Sequence, residues 1–177
     1  MKSLHLAVLL ILLVGCTTAR ETSNSPPPPA AIQPASTQPK RVTGVGGIFF
    51  AAKDPAAMRQ WYAMHLGFKT DDWGTNFEWR QADEGTKKGF TQWGPFPQRT
   101  RYFRPSTRPF MINYRVENLE WLLAQLRTEG VTVVGDVKVE PYGKCAWIMD
   151  PEGNKLELWE PNDVAYDKMV PPQGRTK

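Results

Sequence analysis

The sequence predicts an α+β domain made of two β-α-β-β-β modules in tandem, packed as a mixed-sheet half-barrel pair around a cleft. Three observations predict it. A strand, a capped helix and a glycine stop run from Gly47 to Gly67, and the same pattern restarts at Phe110 and stops at Gly130. The two helical spans nearly match, Gly67 lying 13 positions after Asp54 and Gly130 12 positions after Asn118. Short apolar runs divided by turn residues then follow each helix.

The first module begins with the strand Gly47-Ile48-Phe49-Phe50-Ala51-Ala52. Asp54 suits an N-cap and Pro55 the first helical position, where no backbone N–H is needed. The helix from Ala56 to Leu66 carries Met58, Trp61, Tyr62, His65 and Leu66 at helical spacing. Phe68, Phe77 to Arg80 and Gly89 to Trp93 read as three strands. In the second module Met111 to Val116 is the first strand, and Asn118 takes the capping part of Asp54. Leu119, Leu122, Leu123 and Leu126 line one helix face. The strands Val131 to Val134, Lys144 to Met149 and Lys155 to Trp159 follow, the last two joined by the turn Asp150-Pro151-Glu152-Gly153-Asn154. The modules fall at about 44–97 and 109–161. Neither buries both sides of its sheet alone, so the two pack together, within one chain or across a homodimer.

The chain ends differ from this body. Lys2, the short apolar run Leu6 to Gly15 and Cys16 form an export signal, about half the length of a membrane-spanning helix. Leu13-Val14-Gly15-Cys16 resembles the bacterial lipoprotein lipobox, which implies removal of residues 1–15 and acylation of Cys16. Two or three acyl chains then hold the protein at the membrane, each buried methylene contributing about 0.8 kcal/mol. Thr17 after the cysteine fits outer-membrane sorting, with the body facing the periplasm. Residues 16–43, with Pro26-Pro27-Pro28-Pro29, Pro34 and Pro39, read as an extended tether. Residues 162–177, with Pro171-Pro172, read as a flexible tail.

Charge excludes one class of partner. Of 22 basic and 18 acidic residues, the stretch from Gly44 to Glu160 holds 15 of each, so the excess lies at the ends. A body of zero net charge lacks the footprint that nucleic-acid binding needs. With Cys16 acylated, only Cys145 remains, and an exported chain with a single thiol has no internal disulfide. Cys145 sits in an apolar run with no neighbouring histidine and reads as an inert buried thiol.

Trp61-Tyr62, His65-Leu66-Gly67-Phe68 and the run from Asp150 to Pro161 together resemble the vicinal oxygen chelate superfamily. That superfamily includes glyoxalase I, extradiol dioxygenases, fosfomycin-resistance enzymes and bleomycin-binding proteins. The resemblance covers Gly44 to Pro161 and implies a glyoxalase/bleomycin-resistance-like fold, but no particular reaction. In metal-dependent members, the first and last strand of each module supply one ligand each. Here Glu157 matches the carboxylate of the second module and Gln92 that of the first. The first-strand positions fall near Gly47 and Met111, which offer nothing to a hard or borderline cation. The mature chain keeps one histidine, His65, at a helix end outside this set. No metal or other cofactor is therefore expected; if a divalent ion is present, Gln92 and Glu157 hold it.

Strand alternation turns Phe49, Gln92, Met111, Asn113, Arg115, Trp147, Glu157 and Trp159 toward the cleft, with Leu156 and Leu158 toward the helices. The result is a pocket of aromatic walls with few polar groups, the usual make-up of a small-molecule site. Arg115 and Glu157 either pair with each other or hold a ligand, and Glu157 is the candidate general base. Between the modules, Arg99, Arg101, Arg104 and Arg108 with Tyr102 and Phe103 read as a solvated crossover or an anion grip. Three functions follow: a membrane-anchored binder of a small organic molecule in a metal-poor cleft; a metal-dependent lyase, isomerase or dioxygenase; or an envelope protein-interaction module. Export weighs against glutathione-linked chemistry, since that thiol is mainly cytoplasmic.

Overall fold

Caps and turns fix the helices of the computed structural model, which describes residues 38–176. Strand β1 (Gly44–Ala52) leads into α1 (Pro55–Leu66), where the Asp54 carboxylate accepts from the Ala57 N–H at 3.0 Å. Gly67 ends α1 at φ 69°, a left-handed conformation that glycine adopts without steric cost. Strands β2 (Thr75–Arg80) and β3 (Lys88–Pro97) complete the first module. The second holds β4 (Phe110–Arg115), α2 (Leu119–Thr128), β5 (Val133–Glu140), β6 (Gly143–Met149) and β7 (Lys155–Pro161). Asn118 caps α2 as Asp54 caps α1, accepting from the Trp121 N–H at 2.9 Å. The proposed signal, Cys16 and most of the tether lie outside the described residues. No helix among those described is long and apolar enough to cross a membrane.

One mixed eight-stranded sheet runs β5-β6-β7-β4-β1-β3-β2-β8. In each module the first and last strands pair in parallel, β1 with β3 and β4 with β7. The modules join edge to edge by antiparallel pairing of β1 with β4, so the pair closes within one chain.

Two expectations are corrected. The first module has two strands after its helix, not three. Phe68 lies in a loop, packed on Tyr62, Phe77 and Trp93, and only an isolated Asp71–Gly74 bridge follows it. The outer edge of that module is taken by the C-terminal segment, expected to be a flexible tail. It forms α3 (Asp163–Met169) and β8 (Arg175–Thr176), and β8 pairs in parallel with β2. Local composition hid this because the ordering forces are long-range. Arg175 is held by Glu78 at 3.1 Å and Asp167 at 2.8 Å, and Val170 is buried. Strand boundaries also shift. The segment expected at Val131 to Val134 runs from Val133 to Glu140, with a register break between Val134 and Lys138.

The two helices cover the sheet unequally. Leu119, Leu122 and Leu123 of α2 are buried against Ala146, Ile148 and Leu158. Full burial of each leucine contributes about 1.5–3 kcal/mol. Helix α1 has no buried residue, and it docks chiefly through Tyr62 on Trp93, with ring centroids 4.5 Å apart. Trp61, Met64 and Leu66 stay exposed, so the apolar stripe read from α1 is only partly used. On the opposite, concave side Phe49, Met111, Cys145, Trp147 and Trp159 form a second core that carries the cleft.

Candidate functional site

Register places one row of residues across the concave face: Gln92, Gly47, Asn113, Glu157 and Trp147 are successive cross-strand neighbours. This corrects the expected first-strand position of the second module. Asn113, not Met111, lies beside both Gly47 and Glu157, while Met111 pairs with Phe49. Met111 is fully buried under the cleft.

Glu157 is 4% exposed and bound on both oxygens. Its Oε1 accepts from Asn113 Nδ2 at 2.6 Å; its Oε2 accepts from Trp147 Nε1 at 2.7 Å and from the Tyr102 hydroxyl. Tyr102 comes from the inter-module connector, stacked on Phe96 at 5.3 Å, and its carbonyl accepts from Lys155 Nζ at 2.7 Å. Burial, then the charge of Glu157, pushes the Tyr102 phenol well above its usual range. The same two causes raise the Cys145 thiol. Burial lowers Lys155, whose ammonium lies over the rings of Trp147 at 4.9 Å and Tyr102 at 5.3 Å.

The expected pairing of Arg115 with Glu157 is not made. Arg115 Nη2 donates to Asp163 of α3 at 2.7 and 2.8 Å, with the guanidinium between Trp79 and Trp159, 5.4 and 5.2 Å from their centroids. Asp163 opens α3, in the C-terminal segment expected to be a flexible tail. The arginine is thereby withdrawn from the cleft.

A cavity of about 460 Å³ stands on this row. Gln92, Asn113 and Glu157 form its floor, and Phe49, Phe96, Tyr102 and Trp159 its walls. Trp73 lines it from the α1–β2 loop, and Tyr166, Met169 and Val170 from the C-terminal segment. Tyr166 sits against Trp159 at 5.0 Å and donates to Asn76 Oδ1 at 2.7 Å; burial raises its phenol. Burial also pushes Tyr142, at another edge of the cavity, up to about 12.

Of the residues read from sequence, Phe49, Gln92, Asn113, Glu157 and Trp159 line the cavity, Trp147 supports Glu157 from behind, and Met111 and Arg115 do neither. Sequence reading missed Tyr102, Asn76, Tyr142 and Tyr166 and placed Cys145 only in the core, although it also reaches the cavity. Tyr102 and Phe103 stood out only as aromatics among arginines. Arg99, Arg101, Arg104 and Arg108 are all exposed, the last two beside a separate surface hollow. His65 is exposed against the Trp61 ring.

The row does not fit the metal of the resembling enzymes. Gly47 brings no ligand, and a Cβ there would lie 2.6 Å from the Phe49 ring. Asn113 turns its NH₂ toward Glu157, and that carboxylate already receives three donors. Among the described residues no three His, Cys, Asp or Glu side chains cluster as a metal site.

The paired modules, parallel first-to-last strand closure and concave cleft define a fold of the vicinal oxygen chelate type. The first of three similar solved structures agrees on this at the level of fold. A methylmalonyl-CoA epimerase variant from Streptomyces coelicolor, in complex with 2-nitronate-propionyl-CoA, is 17% identical over 68% of this chain and 99% of that one, with a TM-score of 0.51. The Mycobacterium tuberculosis methylmalonyl-CoA epimerase is 21% identical over 72% of this chain and 94% of that one, with a TM-score of 0.47. A glyoxalase/bleomycin resistance protein/dioxygenase superfamily member from Vibrio splendidus is 11% identical over 70% and 99%, with a TM-score of 0.41. No curated protein matches the chain. The glyoxalase-like domain family matches residues 47–159, and the chain belongs to that family.

Proposed function

We propose that this protein is an envelope-anchored, glyoxalase-like binder of a small organic molecule, working without a resident metal. The observation that carries the reading is Glu157. It lies at the floor of an aromatic cavity of about 460 Å³ and is held by Asn113, Trp147 and Tyr102 in the row where resembling enzymes place metal ligands. Three of the four acceptor positions of a carboxylate are thereby occupied, which leaves it suited to contact a ligand and poorly suited to ligate an ion. The proposed anchoring, at the outer membrane on the periplasmic side, is supported by the lipobox-like Leu13-Val14-Gly15-Cys16 and the proline-rich stretch after it.

Elemental analysis tests the metal half of this reading. Protein purified from cells supplied with Ni²⁺, Zn²⁺, Mn²⁺ and Fe²⁺ is expected to carry far less than one ion per chain. One ion per chain, lost in Glu157→Ala, overturns it in favour of a metal-dependent enzyme. Ligand-observed NMR with a set of aromatic fragments tests the binding half, with Trp159→Ala expected to lose the bound fragments. Cys16→Ala is expected to move the protein from the membrane fraction to the soluble one.

A further inference from the structure

We propose that the cleft selects an organic ammonium ion, a protonated primary or secondary amine carrying an aromatic group; this deepens the small-molecule reading and rests on it. The charge of the lining is one-sided. Asp71 stands at the edge and Glu157 on the floor, and no lysine, arginine or histidine lines the cavity. The nearby cations are committed elsewhere. Arg115 is paired with Asp163, and Lys155 donates to the Tyr102 carbonyl from behind the Tyr102 and Trp147 rings.

Glu157 is surrounded by neutral donors alone. Asn113, Trp147 and Tyr102 satisfy three of its acceptor positions without cancelling its charge, and the free position is on Oε1. Beside it, Asn113 Oδ1 is buried with no donor, at the Gly46 edge of the cavity. The amide cannot be turned to relieve this. Its NH₂ is 2.6 Å from Glu157 Oε1, and the reverse orientation would set two oxygens face to face. The floor thus holds a free carboxylate position and an unpaired amide oxygen packed against Gly46, beside one negative charge, which asks for a cationic N–H donor.

The walls favour the same species. Phe49, Phe96, Tyr102 and Trp159 line the cavity, and aromatic rings attract ammonium groups. The protein already uses two of these rings so, with Lys155 over Tyr102 and Arg115 over Trp159. An anionic ligand would meet Glu157 with no cation in the lining to pair with. The N–H requirement further ranks primary and secondary amines above quaternary ones.

Calorimetric titration of the detergent-solubilised full chain at pH 7 with 2-phenylethylamine, 3-phenyl-1-propanol and 3-phenylpropionate tests this. The ammonium is expected to bind one-to-one, about tenfold or more tighter than the alcohol, and the carboxylate weakest. Propionate binding as tight as the amine overturns the proposal. Alcohol binding with no advantage for the amine overturns the ligand class and leaves the cleft reading standing. Binding of none of the three at millimolar concentration removes both. Glu157→Gln is expected to abolish the advantage of the amine while keeping alcohol binding. Asp71→Asn retains the acceptor for the Trp73 N–H, so it preserves the loop, and is expected to weaken only the amine, by about threefold. An advantage unchanged in both variants overturns the proposal.

Discussion

Removing the carboxylate of Asp163 should strip the buried Arg115 of its counter-charge and destabilise the fold, although the C-terminal segment keeps its other attachments through β8 and Arg175. Arg115 has a side chain only 3% exposed, and its Nε and Nη1 have no hydrogen-bond partner, so Asp163 is its one ion-pair partner among the described residues. Breaking a buried pair from one side costs about 3–5 kcal/mol, because the other charge is left uncompensated. Asp163 keeps 27% exposure, which admits water and places Asp163→Ala near the lower end, at about 3 kcal/mol. For a body of this size that is a fall in Tm of about 9 °C. Urea denaturation followed by tryptophan fluorescence measures it. Adding Arg115→Met should then restore at least about 1 kcal/mol, since the unpaired charge goes while an apolar chain still fills the gap between Trp79 and Trp159. A single variant within about 1 kcal/mol of the parent, or a double variant less stable than Asp163→Ala, would refute the reasoning.

Three further outcomes follow from other parts of the molecule. Leu123→Ala, at a position 1% exposed under α2, should cost about 2–5 kcal/mol in the same denaturation assay. The Cys145 thiol, raised by burial and by the charge of Glu157, should resist alkylation by iodoacetamide at pH 8 and react fully once the chain is unfolded in urea. At high pH, the folded state holds the phenolic protons of Tyr102, Tyr142 and Tyr166 more tightly than the unfolded chain does. Their contribution is complete below the unfolded value near 10 and is lost as pH rises, Tyr142 ionising at about 12. Ultraviolet titration should therefore show these three phenols ionising late, together with unfolding, and three phenols titrating freely near 10 would count against the described burial.

How far the site could be read in advance is shown by three residues. Glu157 was legible because strand alternation opposes it to Leu156 and Leu158, and Leu158 does pack under α2. Asn113 was identified as facing the cleft, yet its place beside Glu157 depends on pairing register, which alternation leaves open by steps of two. Tyr102 had no periodic signal. It reaches Glu157 across 55 positions of chain, from a connector whose arginines pointed to solvent.

The two capped helices, the repeated strand-helix pattern and the inward face of β7 are legible along the chain, because hydrogen-bonded caps and side-chain alternation are properties of adjacent residues. Tertiary structure alone decided that Asp163 takes Arg115, that Tyr102 closes over Glu157 and that a two-residue C-terminal strand finishes the sheet. Each of those joins segments 48, 55 and about 100 positions apart. Their free energy comes from burial and charge pairing that exist only after the two modules have met.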